Sequence, residues 1–164
     1  AIGFCPDPAH VRDKDGIATS VVAASLVAAL KAQGCSVWDE LERLARLHGL
    51  HVSSPLTFRV EEIEQIASGM ARLRAQPPSV LAGSPVVEVS DLSQGYRGLP
   101  PTDGVLVLTE AGDRVIARPS GTEPKLKCYL EVILPVAEGE SLPWEQARER
   151  LEAIKGAFAE IIGL

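Results

Sequence analysis

The segment Arg118-Pro119-Ser120-Gly121-Thr122-Glu123-Pro124-Lys125-Leu126-Lys127 concentrates residue types that can hold an anion. Ser120 and Thr122 offer hydroxyl donors. Gly121 lets the backbone approach an anion closely and turn its N–H groups inward, and a run of such groups forms an anion-binding nest. Arg118 carries a planar fork that can grip two phosphate oxygens at once. Pro119 and Pro124 restrict the flanking backbone, so less entropy is lost on binding. Leu126, Cys128, Leu130, Val132 and Leu134 alternate as the core face of a following strand, and Lys125, Lys127 and Tyr129 fall on the other face. Lys127 therefore projects from the polar face near the loop. Two hydroxyls, a glycine and two or three cations suit a phosphate monoester better than a neutral ligand. The same residues also suit a plain Ser/Gly/Thr/Pro turn with solvated charges, and residue types alone leave both open.

Other reactive residues form no comparable set. Cys5, Cys35 and Cys128 are odd in number and far apart, with no CxxC pair and no zinc-like Cys–His spacing. They are expected to be buried, reduced thiols, which points to a reducing compartment, the cytoplasm. His48 and His51 fit surface or helix-end positions. Asp13 and Asp15 invite a metal reading, but loop and helix-cap roles suit them better. No catalytic residue and no metal ligand is assigned in the chain.

Composition narrows the class. Among 164 residues, 46% are hydrophobic and 23% charged, as in an ordinary globular protein. The net charge of −6 argues against general binding to nucleic acid or anionic membranes. Only 4% of residues are aromatic, too few for base-stacking platforms. The longest apolar stretch, residues 17–30, is fourteen residues, short of the ~20 that a membrane span needs. No basic start followed by an apolar run marks a signal peptide.

These residues must be positioned by regular elements. Residues 1–5 suit the end of a strand. Asp15 is a candidate N-cap for an apolar helix over 17–33, which Gly34 stops. That helix is apolar nearly all round and needs cover on most sides, which implies preceding chain. Ser36 caps a second helix over 37–48, with Val37, Leu41, Leu44 and Leu47 in helical spacing, and Gly49 ends it. Beyond it the pattern predicts an extended segment at 51–60 and an amphipathic helix at 61–75 with Ile63, Ile66, Met70 and Leu73 on one face. Strands are predicted at 85–89, 104–108, 114–117 and 126–134. Residues 90–102 form a Gly/Pro-rich loop, and 110–113 a hairpin turn with Gly112 at the positive-φ position. A final helix spans 144–162, with Leu151, Ile154, Phe158 and Ile161 on its buried face. The second part is an α+β domain with helices on one face of an antiparallel sheet. The first resembles the helical end of an α/β layer, and the boundary falls at residues 49–51.

RPSGTEPKLK resembles the phosphate-binding loop in the C-terminal domain of the α-D-phosphohexomutase superfamily, which includes phosphoglucomutase and phosphomannomutase. It stands in the matching context, after a hairpin and before a strand and terminal helix. Upstream, AIGF…VRDKDGI resembles the end of the third domain in the branch near phosphoglucomutase-2 and phosphopentomutase, where DKDG opens a long helix.

The resemblance implies a four-domain isomerase with a deep cleft. In such enzymes a phosphoserine and a magnesium-binding acidic loop belong to the first two domains, and a sugar bisphosphate is the intermediate and activator. The phosphoryl group moves within the sugar, as in an intramolecular phosphotransferase of carbohydrate metabolism. Residues 1–49 would end the third domain. Residues 50–164 would be the fourth, a TATA-box-binding-protein-like module that holds the phosphate not being transferred. Arg118, Ser120, Gly121, Thr122 and Lys127 carry over as its phosphate-binding residues. Lys125 carries over too, at a position where other members often have an apolar residue. The chain contains no TASHNP-like serine loop and no DGDADR-like metal loop, so it is expected to be inactive alone. Magnesium would be held elsewhere. The implied partners are a phosphosugar and the remaining domains, with neither nucleic acid nor membrane. Two alternatives stand beside this one: a non-catalytic phosphosugar-binding module, and phosphopentomutase activity in the intact protein.

Overall fold

A computed structural model describes residues 5–163. They divide between two compact units, the first running to Leu47 and the second starting at His48.

The first unit contains helix α1 (Gly16–Ala32) and most of helix α2 (Val37–His48). Asp15 starts α1 as its side chain predicts: Oδ1 accepts from the N–H groups of Ile17 at 3.1 Å and Ala18 at 2.9 Å. The helix runs one residue earlier at each end than residues 17–33. Gly34, at φ +74°, makes the left-handed turn that separates the helices. Ser36 and Asp39 then cap α2 reciprocally, with Asp39 N–H donating to Ser36 Oγ at 3.2 Å and Ser36 N–H to Asp39 Oδ2 at 2.7 Å. The Ser36 backbone and hydroxyl bonds hold the Asp39 carboxyl below the usual carboxylate range. The two helices meet at 91°, and among the described residues no single helix is long and apolar enough to cross a membrane. Ile17, Val21, Val22, Leu26 and Val27 are all exposed, while Leu30 is buried. The strand expected over residues 1–5 lies outside the described residues except for Cys5, which sits in irregular backbone.

The second unit is α+β, as the element pattern predicts. Its strands are β1 (Leu50–Arg59), β2 (Val80–Leu81), β3 (Ser84–Asp91), β4 (Val105–Thr109), β5 (Arg114–Pro119) and β6 (Lys125–Leu134). They form an antiparallel six-stranded sheet in the order β1-β6-β5-β4-β3-β2. The first strand thus pairs with the last over ten positions, from Leu50 opposite Leu134 to Arg59 opposite Lys125. Helix α3 (Ile63–Ala75) follows β1, and helix α4 (Trp144–Ile162) follows β6. Both pack on the face carrying Leu126, Cys128 and Leu130, bringing Met70 and Leu73 from α3 and Ile154 and Phe158 from α4 into the core. Burying one such large side chain contributes about 1.5–3 kcal/mol.

Polar ties fix the helices. Asp113 is fully buried beneath the β4–β5 turn, and Arg150 of α4 donates to its Oδ2 from Nε at 2.9 Å. Thr109 Oγ1 donates to the same oxygen at 3.2 Å. Arg72 of α3 donates from Nε to the Ile162 carbonyl at 3.0 Å, placing a cation at the C-terminal end of α4.

Several expectations need correction. The cysteines are not all buried: Cys128 is, Cys5 is half-buried and Cys35 is exposed. Cys35 lies in the short connection between α1 and α2, whereas Cys128 lies on the core face of β6, where burial pushes its thiol up to about 12. Helix α3 starts at Ile63 rather than at 61, because Glu61 and Glu62 form the entry bend, and Ile63 is exposed. Ile162 rather than Ile161 is buried on α4. Strand β2 is unanticipated. It is two residues long, and a tight turn through Ala82 (φ +45°) and Gly83 (φ +79°) returns it to β3.

Candidate functional site

The β5–β6 connection is the loop of residues 120–124, and its two flanking strands set its geometry. Ser120 N–H donates to the Lys125 carbonyl at 2.8 Å and closes the loop neck. Lys125 N–H donates to the Glu123 carbonyl at 2.7 Å inside it. Val60 N–H, just past the end of β1, donates to the Pro124 carbonyl at 3.2 Å and fastens the loop to a third segment.

The loop's remaining donors are uncommitted. Among the described residues, the N–H groups of Gly121, Thr122 and Glu123 make no hydrogen bond, and neither do the hydroxyls of Ser120 and Thr122. The amide of Ser120 is not available, since it closes the neck. A Cβ at Gly121 would meet nothing within 4 Å, and its φ is not in the left-handed region. Gly121 is therefore not required by backbone strain. What it leaves is open space beside the chain.

Strand register places the cations. Arg118 of β5 lies opposite Lys127 of β6, and Lys127 lies opposite Thr57 of β1. Directly opposed residues share a face of the sheet, so these three form a row across three strands. The row lies on the face opposite the helices, because Ala117, Leu126 and Cys128 on the other face are fully buried. Lys125 and Arg59 form the next opposed pair toward the loop. Neither Arg118 nor Lys127 is in an ion pair among the described residues. Lys125 differs: its side chain is only 11% exposed and its Nζ meets Glu123 Oε1 at 2.5 Å. That hydrogen bond, with the charges of Lys125, Lys127 and Arg59, holds the Glu123 carboxyl below the ordinary glutamate range.

The six predicted residues thus come together around one loop, in two groups. Ser120, Gly121 and Thr122 carry the free donors, and Arg118 and Lys127 the free charges, while Lys125 is held by a carboxylate. On its other side the loop borders an open depression of about 280 Å³ that runs from Pro119 to Pro124 and is floored by Ile63 and Ile66 at the start of α3. No cation lines it. Sequence reasoning missed Arg59, Thr57 and the two isoleucines. The β1–β6 pairing brings the first two in, and adjacency in sequence gives no sign of it. No three His, Cys, Asp or Glu side chains among the described residues converge as metal ligands.

An antiparallel sheet with two helices on one face thus ends in a loop of uncommitted donors flanked by cations. Residues 56–149 match the model of the phosphoglucomutase/phosphomannomutase C-terminal domain, more than half of the chain. The chain belongs to that family. A Haemophilus influenzae protein named "Probable phosphomannomutase" is 40% identical to it, across 80% of this chain and 26% of its own length. Human phosphopentomutase is 28% identical, across 98% of this chain and 28% of its own. The open form of the exocytosis-sensitive phosphoprotein pp63/parafusin, a phosphoglucomutase from Paramecium, shares the fold with a TM-score of 0.60 at 18% identity, covering 95% of this chain and 29% of that one. The chain spans about a quarter of the length of the relatives it matches.

Proposed function

We propose that this chain is the phosphate-holding part of a phosphosugar mutase, an isomerase that interconverts sugar 1-phosphate and 6-phosphate through a phosphoserine and a sugar bisphosphate. Residues 1–49 end its third domain and residues 50–164 form its fourth. The remaining domains of the same enzyme supply the serine and the magnesium loop, and the compartment is the cytoplasm. The observation that carries this reading is the set of free donors at Ser120, Gly121 and Thr122 beside the unpaired Arg118 and Lys127.

The role is electrostatic and positional. Arg118 offers a bidentate grip and Lys127 a point charge on the adjoining strand. The loop amides and hydroxyls satisfy the remaining phosphate oxygens. Holding the non-reacting phosphate fixes the far end of the sugar, so that its reacting oxygen stays in line with the phosphoryl donor. Binding energy from the non-reacting group is then used to orient the reacting one.

Phosphopentomutase activity is the second reading. It is favoured by the match to the human phosphopentomutase, which takes in nearly the whole chain where the phosphomannomutase match covers 80%.

The test is a titration of the 164-residue chain with glucose 1-phosphate and with inorganic phosphate, followed by amide resonances. Saturable shifts at Gly121 and Thr122 are expected, and Arg118→Ala abolishes them. Unmoved loop amides at millimolar ligand would contradict a preformed phosphate site.

A further inference from the structure

We propose that Arg59, on edge strand β1, is a further anion-binding residue of the loop site and contacts the same phosphate as Arg118; this rests on the phosphate-holding role above. Nothing in the motif points to Arg59, which lies more than fifty positions before it. The register does. Arg59 is directly opposite Lys125, the first residue after the loop. Opposed residues in an antiparallel pair have Cα atoms about 4.5–5.5 Å apart and side chains on one face. The next residue, Val60, donates its N–H to Pro124 within the loop, so the end of β1 is fastened to the site.

Arg59 is also chemically free. It is exposed and in no ion pair among the described residues, whereas its neighbour Lys125 is held by Glu123. Its charge is also among those that hold the Glu123 carboxyl below its ordinary range. Three adjacent strands therefore each present one uncommitted cation: Arg59 on β1, Lys127 on β6 and Arg118 on β5. β1 is the edge strand of the sheet, and Arg59 is exposed on it. Three free positive charges around one donor-rich loop match a phosphate monoester dianion, with two arginines able to fork onto its oxygens.

The experiment uses the full chain with inorganic phosphate and glucose 1-phosphate, with affinity read from the Gly121 and Thr122 amides. Arg59→Gln is expected to weaken binding about tenfold or more, as loss of one charge-assisted bond does. Arg59→Lys recovers part of it. If Arg59 merely balanced Glu123, its loss would cost nothing in a Glu123→Gln background; the expectation is that the weakening persists there. Wild-type affinity in Arg59→Gln, with binding abolished in Arg118→Ala, would overturn the role of Arg59 and leave the loop reading intact. Unmoved amides in the wild-type chain would overturn both.

Discussion

Lys125 and Lys127 share one strand and one face, yet only Lys125 is held by a carboxylate. Under the proposed phosphate-holding role, that difference gives them separate parts. Lys127 is free to meet a ligand, and Lys125 anchors Glu123 at the loop's exit. Glu123 then acts as a resident anion among cations. Its carboxyl is held low chiefly by the Lys125 hydrogen bond, so the pair's contribution is present above the ordinary glutamate range. It fades only as pH falls through the depressed value. Under the proposed phosphate-holding role, the carboxylate at neutral pH competes with an incoming phosphate for the same charges. Glu123→Gln is therefore expected to tighten phosphate binding by about two- to fivefold, the scale of an exposed ion pair. A calorimetric titration at neutral pH checks this, and weaker binding by the variant would contradict the competition.

At the scale of elements, the hairpin turn, the core face of β6 and the helix of residues 144–162 were legible because each obeys a local rule. Gly112 sits at φ +88°, Leu126 to Leu134 alternate, and Leu151, Ile154 and Phe158 recur at helical spacing. What was not legible depends on pairing between distant strands. The placement of Arg59 and Thr57 beside the loop follows from β1 lying next to β6, and no periodicity within either strand encodes that. Likewise, Asp113 looks like a turn residue in sequence, but Arg150 covers it from α4. Arg150→Met leaves a buried carboxylate without its cation and is expected to cost about 3–5 kcal/mol. Urea unfolding of the chain measures that loss. A change within ±0.5 kcal/mol, ordinary for a surface substitution, would show that the pair does not hold α4.

At the scale of the molecule, the free donors and charges gather at one end of the sheet, while the net charge is −6. The proposed phosphate ligand is compatible with that acidic total because Arg118, Lys127 and Arg59 stand without ion pairs around the loop among the described residues. The chain spans about a quarter of its relatives' length and contains no serine loop of the TASHNP kind. Supplied with magnesium, glucose 1-phosphate and a sugar bisphosphate, it is expected to show no mutase turnover in a coupled assay. Detectable turnover would require a phosphoryl acceptor within these residues. The most direct measurement is a crystal structure of the chain grown with glucose 1-phosphate. The expected result is a phosphate within hydrogen-bond distance of the Gly121 and Thr122 amides, with the Arg118 guanidinium and Lys127 ammonium on its oxygens. A sugar phosphate bound elsewhere, with this loop empty, would contradict the phosphate-holding role.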